Sequence, residues 1–236
     1  MNGFFITGTD TNVGKTTISA GIARVLTKKG HDVGIMKPFA TANRLFSKDY
    51  KSKDTFELSN TITNHESDNL LNPVFYQVAT APYLASKILM QSEANIDEVI
   101  SICNRLANIH EFMVIEGIGG IMVPLTREFY LIDFIKKLNM DTVIVANTRI
   151  GTINHIITTY RLCLYYKVNV VAILINKMPF RKNKIQKEIK TLIKELTQFD
   201  NVFEIPICTS KDKAKFDNAL ENLIEKLLIE KKVKNK

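Results

Sequence analysis

The sequence GTDTNVGKT, residues 8–16, decides the fold expected of this chain of 236 residues. It follows the apolar run 4–7 and leads into residues 15–28, where apolar side chains recur at the spacing of a helix. In a P-loop, a buried strand, a glycine loop and a helix follow one another, and backbone N–H groups of the loop and the helix N-terminus point at phosphate oxygens. The stretch therefore predicts a nucleotide-binding site of the P-loop type.

The side chains of this loop have distinct expected roles. Lys15 supplies positive charge to the β and γ phosphates, and the Thr16 hydroxyl is a magnesium ligand. The usual pattern G-x-x-x-x-G-K-[ST] has its first glycine at the position of Thr9, whereas this chain has Gly8 one place earlier, so the loop is a variant. The residues expected to contact the nucleotide here are Asn12, Val13, Gly14, Lys15, Thr16 and Thr17.

Apolar runs and helical periodicity alternate along the rest of the chain. Strands are predicted at 33–36, 112–115, 143–146, 170–175 and 202–205, and helices at 96–109, 153–166, 183–199 and 214–231. Continuous apolar strands that alternate with helices predict an α/β fold, in which a P-loop NTPase-type parallel sheet carries helices on both faces. We expect one domain over residues 1–236, with a polar excursion at about 41–82 that contains some helix near 54–59.

Composition argues against several other classes of protein. The net charge is +8, but the basic residues are spread along the chain and lack the interleaved aromatic side chains that bind bases, so we expect no nucleic-acid partner. No apolar run reaches the roughly 18 residues of a membrane helix, and no targeting signal is recognisable, so a cytoplasmic location is expected. The three cysteines are too far apart in sequence to suggest a disulfide framework or a zinc site.

Polar residues follow the predicted strands, where ligands bind in sheets of this kind. Glu116 opens the sequence EGIGG, and a carboxylate near a P-loop can hold magnesium directly or through water. The glycines after it allow the backbone to approach phosphate or substrate. Asp54 and Lys37 are ambiguous by themselves: a carboxylate in a polar loop is often solvated, and a lysine before proline can be a surface residue.

Together these motifs resemble the dethiobiotin synthetase family of biotin biosynthesis. The motifs occur in matching order and are distributed over nearly the whole chain. They are GTDT-x-VGKT at 8–16, Lys37-Pro38 with Thr41, Asp54, Asn72-Pro73, Ala81-Pro82, EG-x-GG at 116–120 with Pro124-Leu125, G-x-INH at 151–155, Asn176 and Ile205-Pro206.

The resemblance implies a cyclo-ligase that uses ATP and Mg2+. In that reaction an amine of 7,8-diaminononanoate takes up CO2 as a carbamate, and the ATP γ-phosphate converts it into a carbamic–phosphoric anhydride. The second amine then closes the ureido ring of dethiobiotin, and ADP and phosphate are released. A homodimer is implied as well, with the active site at the subunit interface.

The same resemblance assigns roles to individual residues. Lys37, Lys15 and Thr11 are the expected catalytic residues, and Thr16, Asp54 and Glu116 are the expected metal ligands. Asn176 is expected to recognise adenine, because an amide can both donate to and accept from the base edge. Further nucleotide contacts are implied for Gly117, Ile118, Gly119, Lys177, Pro206 and Ile207. The substrate contacts implied are Thr41 and, from a helix N-terminus of the neighbouring subunit, Gly151, Thr152, Ile153 and Asn154.

One departure from the family pattern and two rival classes bear on this interpretation. Asn12 stands where well-known members have an acidic residue, so it is expected to contribute only its backbone N–H. Switch ATPases of the partition and division-site type share the GKTT sequence at 14–17, but their signature lysine would fall at Asp10. Ligases that amidate a corrin ring share the loop style, yet usually carry a glutaminase domain for which 236 residues leave no room.

Overall fold

A computed structural model describes residues 1–62, 66–179, 181–209 and 213–234 of the chain. The strands are β1 (Gly3–Gly8), β2 (Val33–Met36), β3 (Phe39–Thr41), β4 (Val74–Tyr76), β5 (Phe112–Gly120), β6 (Asp141–Ala146), β7 (Val170–Met178) and β8 (Val202–Pro206). The helices are α1 (Lys15–Lys28), α2 (Lys53–Ser59), α3 (Asp68–Leu71), α4 (Pro82–Ile88), α5 (Ile96–Ile109), α6 (Leu131–Leu138), α7 (Thr152–Tyr165), α8 (Lys184–Thr197) and α9 (Lys213–Lys234).

Six of the strands form one parallel sheet in the order β2-β5-β1-β6-β7-β8. Strand β1 lies near the middle of this sheet, and all six of its residues are buried. Helices α1 and α9 pack on one face through residues such as Ile22 and Leu220, and α5, α6, α7 and α8 pack on the other through residues such as Ile135 and Ile156. The expected α/β sheet with helices on both faces is confirmed.

Strands β5 and β7 extend further than the sequence predicts. Glu116 and Asn176 lie inside these strands rather than after them, since Glu116 pairs with Ile6 and the pairing of β5 continues to Gly120 opposite Gly8. Glycines are weak strand formers, so the sequence EGIGG favours a loop, but pairing with the neighbouring strand overrides that local preference. The backbone of Glu116 is therefore fixed by the sheet itself.

The polar excursion after β2 has more structure than its weak periodicity predicts. It contains α2, α3 and a second, two-stranded parallel sheet of β3 and β4. Asn72 holds the excursion to the end of β2, because its side-chain amide donates to the carbonyl oxygens of Lys37 at 2.9 Å and Val74 at 3.0 Å.

Helix α6 is not predicted from the sequence, because its eight residues are too few for a periodic pattern to be recognised. Within the described ranges, no helix is long and apolar enough to span a membrane.

A buried histidine joins the excursion to the edge of the main sheet. The His110 side chain is 1% exposed and lies between two carboxylates: its Nδ1 is 3.0 Å from Asp32 Oδ1, and its Nε2 is 2.8 Å from Glu66 Oε1. Burial alone would lower the pKa of His110, but the hydrogen bonds and charges of Asp32 and Glu66 outweigh burial and raise the pKa above its ordinary value. The imidazolium form is therefore favoured in the folded chain.

Replacement of His110 tests this arrangement. A raised histidine pKa stabilises the fold fully below the unfolded value of 6.5, and the contribution is lost as the pH rises through the folded pKa. We expect His110→Gln to lower the free energy of unfolding by about 2 kcal/mol at pH 6, with a smaller loss at pH 9. Urea unfolding at both pH values measures this, with the exposed His155→Gln as control. An equal loss at both pH values would contradict the charged interpretation.

Candidate functional site

A cavity of about 730 Å3 opens at the carboxyl ends of the central strands. The loop between β1 and α1 forms one wall, and the excursion that contains β3 and α2 forms another. The residues that line it are Thr11, Asn12, Gly14, Lys15, Thr16, Thr17, Lys37, Ala40, Thr41, Ala42, Ser52, Lys53, Asp54, Glu57, Glu116, Ile118, Gly119, Arg149 and Lys177.

The phosphate loop is held from behind by strand β7. The side-chain amide of Asn176 is buried and donates to the carbonyl oxygen of Val13 at 2.9 Å, and Lys177 Nζ donates to the carbonyl oxygen of Asn12 at 2.8 Å. Gly14 has a φ of 99° and lies so close to Asn176 that a Cβ at position 14 would be 2.2 Å from Asn176 Nδ2. The absence of a side chain at Gly14 thus allows the loop to contact β7.

A buried ion cluster lies in the floor of the cavity. Lys37 Nζ is 2.5 Å from Glu116 Oε1 and 2.8 Å from Asp54 Oδ2, and it also donates to the carbonyl oxygen of Gly117 at 3.1 Å. The side chains of Lys37 and Glu116 are 3% and 1% exposed, whereas that of Asp54 is 39% exposed. Lys37 and Asp54, which are ambiguous as isolated sequence signals, therefore form one cluster with Glu116 in the fold.

The charges in this cluster shift one another's protonation. Burial would lower the pKa of Lys37, but the adjacent Glu116 and Asp54 raise it above its ordinary value, so the lysine is charged. Burial opposes ionisation of Asp54, yet the charge of Lys37 prevails and lowers the Asp54 pKa. Burial, reinforced by the Asp54 charge, raises the pKa of Glu116 in spite of Lys37.

Oxygen atoms beside Lys37 have the chemistry of a magnesium site. The Thr16 hydroxyl donates to Glu116 Oε1 at 2.9 Å, while the buried Glu116 Oε2 has no hydrogen-bond partner among the described residues. Mg2+ is commonly held by one or two carboxylates together with substrate phosphates. No group of three or more His, Cys, Asp or Glu side chains in the described part of the chain could hold a metal. The hydroxyl and two carboxylates near the P-loop therefore fit Mg2+ bound with a nucleotide, and not a metal caged by protein alone.

Lys15 is held over the same floor. Its Nζ donates to the carbonyl oxygen of Asp10 at 2.9 Å, and the side chain is largely buried. Burial and the nearby Lys37 charge lower the pKa of Lys15 from 10.5 to about 8, against the opposing pull of Glu116 and Asp54. Among the described residues, Lys15 therefore has a carbonyl oxygen as its partner and no carboxylate within ion-pair distance.

Several residues assigned from sequence lie outside the cavity lining. Val13, Gly117 and Asn176 do not line the cavity, and the side-chain nitrogen of Asn176 is used to hold the loop through the carbonyl oxygen of Val13. Pro206 ends β8, and Ile207 is 43% exposed after it, with its N–H donating to the carbonyl oxygen of Met178.

The segment 151–154 at the start of α7 also lies outside the cavity lining. Thr152 is buried, its hydroxyl donates to the Asn147 carbonyl oxygen at 2.6 Å, and its N–H donates to the Arg149 carbonyl oxygen at 3.1 Å. Both hydrogen-bond donors of Thr152 are therefore used within its own turn. Ile153 and Asn154 are in the first helical turn, where N–H groups have no partner within the helix.

Thr41, a predicted substrate contact, lines the cavity and donates its hydroxyl to the Thr80 carbonyl oxygen at 2.8 Å.

Other residues that line the cavity are not predicted from the sequence. Ser52, Lys53 and Glu57 enter the cavity with α2, and the Ser52 N-cap would have been a usable signal for that helix. Arg149 follows β6 at the carboxyl edge of the sheet, so the strand-end rule could have identified it. Ala40 and Ala42 carry no comparable signal.

Comparisons with known proteins agree with the P-loop geometry. Residues 2–209 match the sequence model of a family described as an AAA domain. The chain is 35% identical over 225 residues to the ATP-dependent dethiobiotin synthetase BioD of Nitrosopumilus maritimus, covering 95% of this chain and 97% of the relative. It is also 35% identical over 199 residues to the ATP-dependent dethiobiotin synthetase BioD of Bacillus subtilis strain 168, covering 83% of each chain.

Solved structures of similar fold come from other classes of protein. The cell division ATPase MinD of Pyrococcus furiosus has a TM-score of 0.56 at 15% identity, covering 96% of this chain and all of that one (100%). A putative plasmid partition protein of Borrelia burgdorferi bound to AMPPNP has a TM-score of 0.57 at 13% identity, with 98% of both chains covered. At these identities the likeness establishes the P-loop NTPase fold and nothing about activity.

The buried charge of Lys15 yields a stability prediction. A lysine pKa lowered to about 8 means that the unfolded chain binds the proton more tightly, so the penalty is full below pH 8 and disappears as the pH rises towards 10.5. We expect Lys15→Met to raise the free energy of unfolding of the ligand-free protein by about 2 kcal/mol at pH 7, and by much less at pH 9.5. Denaturant unfolding measures both values.

Lys28→Met is the matched control, because Lys28 is an exposed lysine in the last turn of the same helix. Its effect should stay within about 0.5 kcal/mol at either pH. If Lys15→Met destabilised the ligand-free protein at pH 7, the lysine would not be under the proposed electrostatic penalty.

Proposed function

Because the chain belongs to the dethiobiotin synthetase family, we propose that it inserts CO2 between the two amines of 7,8-diaminononanoate with consumption of ATP. The products are dethiobiotin, ADP and phosphate. Family membership supplies the reaction, and the Lys37 cluster beside the P-loop is the structural observation that carries it. A nucleotide-binding loop alone serves many functions, but a buried lysine next to the phosphate site adds a second cation where charge develops during transfer to a carbamate.

The proposed reaction has three steps that conserve atoms and charge. One substrate amine attacks CO2, forms an N–C bond and loses a proton to give the carbamate. A carbamate oxygen then attacks the γ-phosphorus, and the bond from that phosphorus to the ADP oxygen breaks. The second amine attacks the carbamoyl carbon and loses a proton, and phosphate leaves as the ring closes.

The protein's part in this chemistry is mainly positioning and charge stabilisation. Lys15 is proposed to contact the β and γ phosphates, and Lys37 is proposed to lie between the carbamate and the transferring phosphoryl group. The hydroxyls of Thr11 and Thr41 line the same cavity and are proposed to hydrogen-bond the carbamate or the amines. Both threonine side chains have hydroxyls that can donate and accept, which suits a substrate whose nitrogen changes protonation.

Magnesium is proposed to be held by Thr16, Asp54 and Glu116, which supply one hydroxyl and two carboxylates. When bound, the metal would neutralise charge on the β and γ oxygens. Lys37 forms ion pairs with both Asp54 and Glu116. With both carboxylates engaged in holding Mg2+, the Lys37 ammonium group would be available to the carbamate.

A homodimer is proposed to complete the site. The segment 151–154 does not line the cavity of its own chain, and the first turn of α7 carries N–H groups suited to a carboxylate. We propose that it binds the distant carboxylate of the substrate held by the neighbouring subunit, principally through Ile153 and Asn154. The remaining nucleotide contacts, Ile118, Gly119 and Lys177 in the cavity and Pro206 and Ile207 beside β8, are proposed for the phosphates and the base.

The alternative function is a switch ATPase of the partition or division-site type. It is favoured only by the fold similarity to proteins such as MinD, at 15% identity. The loop of this chain has Asp10, whose carboxylate accepts the N–H of Thr11 at 2.7 Å, where the signature lysine of that class would fall. The full-length similarity to dethiobiotin synthetases outweighs a shared fold.

Product formation distinguishes the two functions directly. Purified protein is incubated with ATP, MgCl2, bicarbonate and 7,8-diaminononanoate, and dethiobiotin is measured by mass spectrometry. We expect product and ADP in equal amounts, both dependent on the diamine. ATP hydrolysis that proceeds at the same rate with and without the diamine, and without dethiobiotin, would favour the switch ATPase instead.

Removal of the Lys37 charge should abolish chemistry more than nucleotide binding. We expect Lys37→Ala to reduce turnover by about 100-fold or more, because a charge that stabilises the transferring group is lost, while ATP still binds in the presence of Mg2+. Retained nucleotide binding also reports that the variant is folded. Lys53→Ala is the control, since Lys53 lines the same cavity but is exposed and pairs with Glu57 at 3.3 Å. Near-normal turnover of Lys37→Ala would remove Lys37 from the catalytic assignment.

A further inference from the structure

Among the residues that the structure describes, one cationic side chain of the cavity has no hydrogen-bond or ion-pair partner. Five cationic residues and three carboxylates line it, which gives a formal balance of five minus three, or +2. All four lysines bind an acceptor of the protein: Lys37 binds Asp54 and Glu116, Lys53 binds Glu57, Lys15 binds the Asp10 carbonyl oxygen and Lys177 binds the Asn12 carbonyl oxygen. In the described part of the chain, the guanidinium of Arg149 has no hydrogen-bond or ion-pair partner.

The backbone around Arg149 is fixed although its side chain is exposed. The Arg149 N–H donates to Asn147 Oδ1 at 3.0 Å, and its carbonyl oxygen accepts the Thr152 N–H at 3.1 Å. The Thr152 hydroxyl closes the same turn by donating to the Asn147 carbonyl oxygen at 2.6 Å. Since the turn is held at both ends, the arginine is presented towards the cavity from a defined position and only its side chain has to be ordered by a ligand.

The turn that carries Arg149 is adjacent to the phosphate loop. Strand β6 pairs with β1, with Gly8 opposite Val145, and the Thr9 N–H donates to the Val145 carbonyl oxygen at 2.9 Å. The phosphate loop leaves β1 at this point, and the Arg149 turn leaves β6 one residue beyond Val145. The two segments therefore rise side by side from neighbouring strands and share the cavity.

We propose that Arg149 contacts the terminal phosphate of the bound nucleotide, from the same subunit that supplies the phosphate loop. The inference rests on the proposed use of ATP. A guanidinium is always charged, is weakly hydrated and offers parallel donors that match a phosphoryl group, so it suits a group on which negative charge is redistributed. In other phosphoryl-transfer proteins an arginine supplied in cis has this role.

Two observations favour the nucleotide over the organic substrate as the ligand of Arg149. The arginine lines the cavity together with Thr11, Asn12 and Lys15 of the phosphate loop. The helix N-terminus proposed for the substrate carboxylate, at 151–154, does not line it. The complex of ATP with one Mg2+ has a net charge of about −2. This charge also matches the formal +2 excess of the side chains that line the cavity.

The test compares nucleotides with and without the terminal phosphate, in the absence of diamine so that no turnover occurs. Affinities for a non-hydrolysable ATP analogue and for ADP, each with Mg2+, are measured by calorimetry on the full chain. We expect Arg149→Ala to weaken binding of the ATP analogue by about 10- to 100-fold while ADP affinity changes less than about twofold, and Arg149→Lys to fall between Arg149→Ala and the unmodified chain. Turnover of Arg149→Ala, where measurable, should fall at least as far as ATP affinity.

Arg161→Ala is the matched control, because Arg161 is an exposed arginine on α7 that does not line the cavity. Unchanged affinity for the ATP analogue, or an equal loss for both nucleotides, would overturn the assignment, as would an effect confined to the KM of the diamine. A lowered thermal unfolding midpoint would identify a misfolded Arg149→Ala protein. In that case the nucleotide affinities of Arg149→Lys decide whether Arg149 contacts the terminal phosphate. These affinities do not depend on ring closure. The expected effect of Arg149→Ala on nucleotide binding can therefore be observed even if no dethiobiotin forms, and dethiobiotin can form even if that effect is not observed.

Discussion

The Lys37 ammonium group, placed between Glu116 and Asp54, is the contact on which the site depends. Glu116 belongs to strand β5 and Asp54 to helix α2 of the excursion, so this lysine joins the main sheet to the excursion through charge. Two carboxylates this close together would repel each other without a cation between them. The same property that stabilises the ligand-free site also prepares it for a metal–nucleotide complex, which brings positive charge of its own.

Local sequence patterns were sufficient for the main sheet and for the phosphate loop. The bounds of α1 and α5 follow from apolar periodicity, because each helix covers the sheet with one continuous apolar face. The ends of β5 and β7 could not be predicted, since pairing with neighbouring strands carries both past residues that locally favour a turn. Contacts between distant segments, and not propensity, determine where those strands stop.

The site was only partly accessible to sequence reasoning for the same reason. The family resemblance is needed to assign Lys37 and Asp54, whereas Glu116 is indicated by its position after a predicted strand. No spacing rule could show that one lysine lies between both carboxylates. Asn176 has a role that no local pattern indicates, because its side-chain nitrogen holds the phosphate loop through the carbonyl oxygen of Val13, which is remote in sequence. Arg149 lies where the strand-end rule points, but the resemblance assigned it no role.

The close approach of Gly14 to Asn176 has an evolutionary consequence. A side chain at position 14 would occupy the space of the amide at position 176, 163 residues from the loop carbonyl that this amide supports. Any other residue at position 14 would be strained by the φ of 99° and would also meet Asn176, while a change at position 176 would remove the donor of the Val13 carbonyl oxygen. Positions 14 and 176, although remote in sequence, are thus constrained by one contact, and sequence changes in the loop have to preserve that contact.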